Sequence, residues 1–281
     1  MSSFSDFFGS PNLGDPNGSI AVLVGTFLIV LCRVSAIVMT SPGIGEASSP
    51  MRIRAGLALA VTVTLLPVVQ DRLIAVSGEA LRMPSMAVAI VAEELLCGIF
   101  IGSLARLIGF SLIIAGQMIS LFTGLASIIQ SDAELGASST AIAHLMNMLF
   151  PVLFFVTGLY ILPLMAISGS YTLFPAGHIT GLMVGDMAMS VTKTVSETFR
   201  IAMQLASPFV LVGTLWPAML GVLNRLMPAI QVYAIAMPAQ ILGGIFLLAL
   251  LIQVITGTWV ERIEGLLIGL PGIVSSVPKV P

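Results

Sequence analysis

Four ionisable side chains sit inside otherwise apolar runs: Arg33, and then Glu93, Glu94 and Arg106. An ionisable group in hydrocarbon costs at least a few kcal/mol unless it is paired or hydrated, so each must have a partner or water. Two chemistries would suit such residues. One is a proton or ion relay, which wants several acidic groups lining one path. The other is ion pairing that ties helices together. Glu93 and Glu94 are adjacent and point roughly 100° apart on a helix, so they cannot form a relay file alone. Pairing between helices is therefore the favoured reading.

Little else in the chain suggests reaction chemistry. It has no glycine-rich phosphate loop, no Ser/His/Asp arrangement and no pair of carboxylates suited to a soluble cleft. No catalytic residue is assigned, and an enzyme is not expected. His144 and His178 lie far apart with no cysteine or carboxylate at ligand spacing, so neither a metal nor another cofactor is expected. Cys32 and Cys97 fall in apolar runs, where a thiol behaves as a small hydrophobe, and a disulfide is unsupported. The sixteen methionines are scattered and read mostly as core filler.

The elements that must position these charges are membrane helices. Of 281 residues, 57% are hydrophobic and only 9% charged, against about 25% charged in an ordinary soluble domain. Long apolar runs with helical periodicity point to an all-α polytopic membrane protein, since barrel strands would alternate polar and apolar residues. A net charge of −2 with no basic cluster excludes a nucleic-acid partner and leaves membrane lipid as the expected surroundings.

The run from Glu93 to Asp132 stands out because it is studded with small residues. Gly98, Gly102, Ala105, Gly109, Gly116, Ser120 and Gly124 fall within an arc of roughly 100° on a helix. Such a stripe lets neighbouring backbones approach closely, and Gly98, Gly102, Gly109 and Gly116 are assigned to helix packing. As one helix, Met86 to Gly124 would be about 60 Å long, about twice a hydrocarbon core, so it must break or leave the lipid.

Read in order, residues 1–18 form a polar tail without lysine or arginine, lacking the positive start of a secretory signal. Ile20 to Thr40 is long enough to span. A Ser41–Glu46 loop follows, then a short second span from Ala55 to Val69. A polar connector with Asp71, Arg72, Glu79 and Arg82 leads to the small-residue run. Gln130 to Gly136 reads as a loop before another helix. His144 to Ile167 is the next apolar segment, and Ser168 to Gly185 a connector. Thr192 to Arg200 reads as interfacial. Ile201 to Leu223 and Met227 to Ile255 are apolar, with Pro208, Pro217, Pro228 and Pro238 marking kinks or re-entrant segments. That makes about six apolar segments within one helical membrane domain, 19–265, followed by a tail, 266–281. Arginines in successive loops balance, so orientation is unspecified. A tail outside and a C-terminus inside would require at least one segment not to cross fully.

A family resemblance rests on ordered pieces. Pro50-Met51-Arg52-Ile53-Arg54-Ala55-Gly56-Leu57-Ala58-Leu59 comes first, then Glu94-Leu95-Leu96-Cys97-Gly98 with Gly102, then Ala115-Gly116-Gln117-Met118-Ile119 with Gly124 and Asp132. Leu145 to Phe150, Leu173 to Gly177, and Asn224-Arg225-Leu226-Met227-Pro228 through Tyr233 to Met237-Pro238 continue it. Over roughly residues 20–260 the chain resembles the FliR family, export-gate proteins of the bacterial flagellar type III secretion apparatus. Departures include Ala229 where the family usually has Gln, Ala236 before Met237-Pro238 where it often has Gly, and Asp132-Ala133 where it has Asp-Pro.

The resemblance implies an inner-membrane subunit at the flagellar basal body. It would assemble with FliP-like and FliQ-like partners, near FlhB-like and FlhA-like export proteins, into a helical pore for unfolded flagellar substrates. It also implies that helices raised out of the lipid pack against partner subunits, and that the loop after the mid-chain glycine helps to close the pore. Here that loop is Gly124 to Asp132. Ser127 and Gln130 occupy positions where relatives commonly carry Phe, so the apolar plug would fall to Ile128 and Ile129, between Gly124 and Asp132. A homologous injectisome subunit and a small-solute transporter are the alternatives. The second would be marked by an internal repeat, and none is evident between the halves.

Overall fold

The computed structural model describes residues 20–45, 49–126, 140–178, 181–226 and 232–273. All regular structure among them is helical: α1 Ile20–Thr40, α2 Met51–Arg82, α3 Pro84–Phe122, α4 Ala141–Val156, α5 Ile161–Leu173, α6 Gly181–Leu226 and α7 Val232–Ile268. Five helices are long and apolar enough to cross a membrane, and a sixth span results if the broken pair α4 and α5 counts as one. The chain is an all-α polytopic membrane protein.

Several of the observed helices are longer than hydropathy alone suggests, and one apolar segment is divided in two. The expected connector after Val69 does not exist: α2 runs for 32 residues. Its buried residues Ala58, Thr62, Leu66, Val69, Leu73 and Ser77 recur every three or four positions, a single helical face. Asp71, Arg72, Glu79 and Arg82 ride on the exposed side of that helix rather than marking its end. α2 stops where sterics require it. Met83 precedes Pro84 and is extended (φ −127°, ψ 102°), and Pro84 then opens α3 at the position where its missing N–H costs nothing.

α3 is continuous over 39 residues with no proline after Pro84 at its start, so the long small-residue run does not break. The expected segment His144 to Ile167 is instead divided. Thr157 ends α4 with its N–H on Leu153 O (3.0 Å), and Gly158 takes φ +76°, a left-handed C-terminal turn suited to glycine. The expected connector Ser168–Gly185 is likewise mostly helix, its first residues closing α5 and its last opening α6. Thr192 to Arg200, read as interfacial, lies within α6, as do Pro208 and Pro217, so neither proline marks a re-entrant turn. Pro238 sits inside α7, whereas Pro228 lies outside the described residues.

By contacts the chain divides into two compact units, one of residues 1–106, 159–192 and 267–281, the other of 107–158 and 193–266. In the first, α1 packs on α2, joined by a buried Thr26 Oγ1···Ser77 Oγ hydrogen bond of 2.9 Å, and Val30, Val34 and Ile37 of α1 are buried. The start of the expected C-terminal tail belongs to this unit too. Leu270 and Ile273 are buried, and Gly272 (φ +101°) lies so close to α5 that an added Cβ would meet Ser170 N at 2.8 Å.

The second unit is built round Trp259 of α7, wholly buried. Its ring meets Phe150 of α4 edge-on, centroids 5.8 Å apart, and its Nε1–H donates to Ser111 Oγ of α3 at 3.0 Å. On α6, Thr198 Oγ1 donates to Leu107 O of α3 at 3.1 Å. The polar head of each side chain is thus satisfied inside an apolar core, as burial demands.

Candidate functional site

In the first unit the ionisable residues of α1 and α3 form a closed cluster. Arg33 and Glu94 are both wholly buried. The guanidinium donates from Nε to Glu94 Oε2 at 2.7 Å and from Nη2 to Glu94 Oε1 at 2.8 Å, the bidentate fork that Arg makes with a carboxylate. Its remaining donors go to α5 and the residue after it: Nη1 to Ser170 Oγ at 3.2 Å, Nη2 to Phe174 O at 2.9 Å. The cation also lies over the Tyr171 ring, 3.9 Å from the centroid. Three chain segments far apart in sequence are thereby held to one side chain. With its charge paired and four of its N–H groups bonded, Arg33 ties α1, α3 and α5 together.

Glu93 and Arg106 are outside that cluster. Glu93 points roughly 100° round the helix from Glu94; it is half-buried, and its Oε2 is shielded from solvent with no hydrogen-bond partner among the described residues. Arg106 is half-buried. Ser170, Tyr171 and Phe174, which complete the Arg33 cluster, were not legible in the sequence, because that stretch reads as a connector and serine carries no pairing signal.

The glycines of the stripe are buried and meet this chain's own helices. In the first unit, a Cβ on Gly98 would come within 2.6 Å of Ala36 Cβ and Arg33 O on α1, and one on Gly102 would overlap Thr40 Oγ1. In the second unit, a Cβ on Gly109 would overlap the Phe150 ring, and one on Gly116 would lie 2.8 Å from Met146 Cγ and 3.0 Å from Ala143 Cα. The stripe on α3 therefore receives α1 at two positions and α4 at two others.

At the end of α3, Gly124 turns the chain with φ +80°, a left-handed conformation in which a side chain is strained. Gln240 of α7 donates from Nε2 to Phe122 O at 3.1 Å, capturing a helix-end carbonyl that the α3 ladder leaves open. Gly244 of α7 and Gly213 of α6 bring those helices onto this turn, each leaving 2.6 Å between an added Cβ and Thr123 or Phe122. The turn is thus clamped by two helices. Ile128, Ile129 and Asp132, the rest of the expected plug, lie outside the described residues.

Comparison with known proteins bears directly on this architecture. Residues 24–266 match the family model described as "Bacterial export proteins, family 1". The chain is 35% identical over 239 residues, 85% of its length and 93% of the relative's, to the flagellar biosynthetic protein FliR of Caulobacter vibrioides. It is 25% identical to the Escherichia coli FliR over 250 residues (89% and 93%), and 26% identical to that of Aquifex aeolicus over 236 residues (83% and 87%). The matched region begins in α1 and ends in α7, taking in the Arg33–Glu94 anchor, the glycine stripe and the Gly124 turn. The chain belongs to the FliR family of bacterial export proteins.

Proposed function

We propose that this protein is a non-enzymatic subunit of the flagellar type III export gate in the bacterial inner membrane, at the flagellar basal body. With FliP-like and FliQ-like subunits it forms a helical conduit through which unfolded flagellar proteins leave the cell, supplied through FlhB-like and FlhA-like components. Gly124, Ile128, Ile129 and Asp132 belong to the loop that closes the conduit at rest, the isoleucines excluding water and ions by their apolar surface.

One observation carries the multi-subunit part of this reading. α6 is 46 residues long, about 69 Å at the helical rise. Large exposed apolar side chains run along nearly all of it, from Val184 and Met189 through Phe199 and Leu211 to Val222 and Leu226. A bilayer core of about 30 Å, even crossed at a 40° tilt, covers only about 39 Å of helix. The remaining apolar surface would face water unless protein covered it, which is the mark of an assembly interface. The flagellar reading draws on the relatives above, each a flagellar biosynthetic protein FliR.

Deleting the gene and scoring filaments together with secreted flagellar subunits tests the function. Loss of both, restored by the full-length gene in trans, is the expected result. Normal filaments in the deletion strain reject the flagellar assignment.

A further inference from the structure

The second unit contains a cleft of about 280 Å³ between the end of α3, α6 and α7. Its walls are apolar, with Phe209 and Val212 on α6 and Leu247 and Leu250 on α7, and Phe246 and Leu250 are largely exposed beside it. Two features of this cleft are unaccounted for among the described residues. Trp216, which lines it, has its indole Nε1–H shielded from solvent with no acceptor. A buried donor left unmade is costly, and indole can only donate. Gly243, also in the wall, stands in the interior of α7, where glycine weakens a helix, yet nothing lies within 4 Å of where its Cβ would be. Gly213 and Gly244 in the same wall are required by close contacts with Phe122 and Thr123; Gly243 is required by no contact among the described residues.

We infer that this cleft is a phospholipid site, taking an acyl chain between α6 and α7 with its ester carbonyl accepting the Trp216 Nε1–H. The occupant must be apolar along its length and carry a free acceptor at one end. A lipid acyl ester has that form. A partner helix would need a side-chain or shared carbonyl acceptor placed there, as Ser111 and Leu107 supply elsewhere in this chain, whereas an acyl ester brings its acceptor at the end of an apolar chain that fills the cleft. The absent side chain at Gly243 leaves room for the chain, and the exposed Phe246 and Leu250 continue the cleft onto an apolar surface. The site is independent of the export function proposed above.

The test uses the full-length protein in mild detergent, stripped of lipid and titrated with phosphatidylglycerol carrying bromine on its acyl chains, with tryptophan emission as the readout. Wild type is expected to show a saturable quench. That component should disappear in Trp216→Phe, where the wholly buried Trp259 remains as reference. The diether analogue with the same brominated chains, which lacks the carbonyl, should bind about tenfold more weakly. Gly243→Leu should abolish the saturable component while leaving the melting midpoint unchanged or raised. Gly243→Ala, a smaller change, should weaken it, and serves if the leucine variant does not fold. Quenching that is linear and equal in wild type and Gly243→Leu would reflect bulk lipid only and overturn the site. Equal affinity for ester and ether would overturn the role of Trp216. No quench at all would mean the cleft is closed to lipid, and overturns the proposal.

Discussion

Arg33 of α1 and Glu94 of α3 face each other through two parallel hydrogen bonds, 2.7 and 2.8 Å, with neither side chain exposed. Removing one partner of a buried pair leaves an uncompensated charge, a loss of about 3–5 kcal/mol. Glu94→Ala and Arg33→Ala are each expected to lower the yield and melting midpoint of the purified protein sharply. The double variant Arg33→Met with Glu94→Leu should recover much of that loss. Single variants as stable as wild type would show that the pair does not anchor α1 to α3.

The glycine contacts predict an effect on the chain itself. Gly109→Leu must displace the Phe150 ring and Gly116→Leu must displace Met146 and the α4 backbone, overpacking that costs about 1–3 kcal/mol or more. Gly185→Leu, with nothing within 4 Å of its Cβ, is the control and should leave stability unchanged. Thermal unfolding of the three variants in one detergent decides the matter; equal midpoints would remove the packing role of the stripe.

Ser111→Ala offers a narrower test of the second unit. The variant leaves the Trp259 Nε1–H buried and unpaired, at a cost of about 1–3 kcal/mol. Trp259 fluorescence is expected to broaden or shift as its surroundings loosen, with a lowered melting midpoint. An unchanged midpoint would mean that water or another group takes the proton.

The turn at the end of α3 is a conformational requirement. Gly124→Ala places a Cβ at φ +80°, about 1–2 kcal/mol of strain, and should weaken the protein without new steric overlap, since the nearest atom to that Cβ is 3.6 Å away. Gly124→Asn, which tolerates that conformation better, should be milder. Equal effects would point to contacts rather than backbone strain.

The closing role proposed for the following loop is tested by Ile128→Gly with Ile129→Gly. The assembly is expected to form, and the resting membrane to leak small ions, read as growth inhibition or as conductance in a planar bilayer. A double variant that assembles and conducts no more than wild type would free these two residues of the plug role.

Some of this protein follows from one-dimensional chemistry. The scarcity of charge and the length of the apolar runs dictate membrane helices, because a backbone in hydrocarbon must satisfy itself, and α1 has the bounds that its apolar run sets, Ile20 to Thr40. The need of Arg33 and Glu94 for partners also follows from their apolar neighbours. That each is the other's partner does not, since their 61-residue separation carries no pairing signal and only the packing of α1 on α3 brings them together. The same holds for Ser170 and Phe174, read as connector, and for Trp259 with Ser111, 148 residues apart. Polar residues at 71–82 read as a connector and those at 192–200 as interfacial, yet a helix with one apolar face carries such residues on the other without interruption. Periodicity marks a stripe of glycines but is silent about what the stripe receives. Tertiary structure decides that, by setting Thr40 against Gly102 and Phe150 against Gly109 where no larger side chain fits.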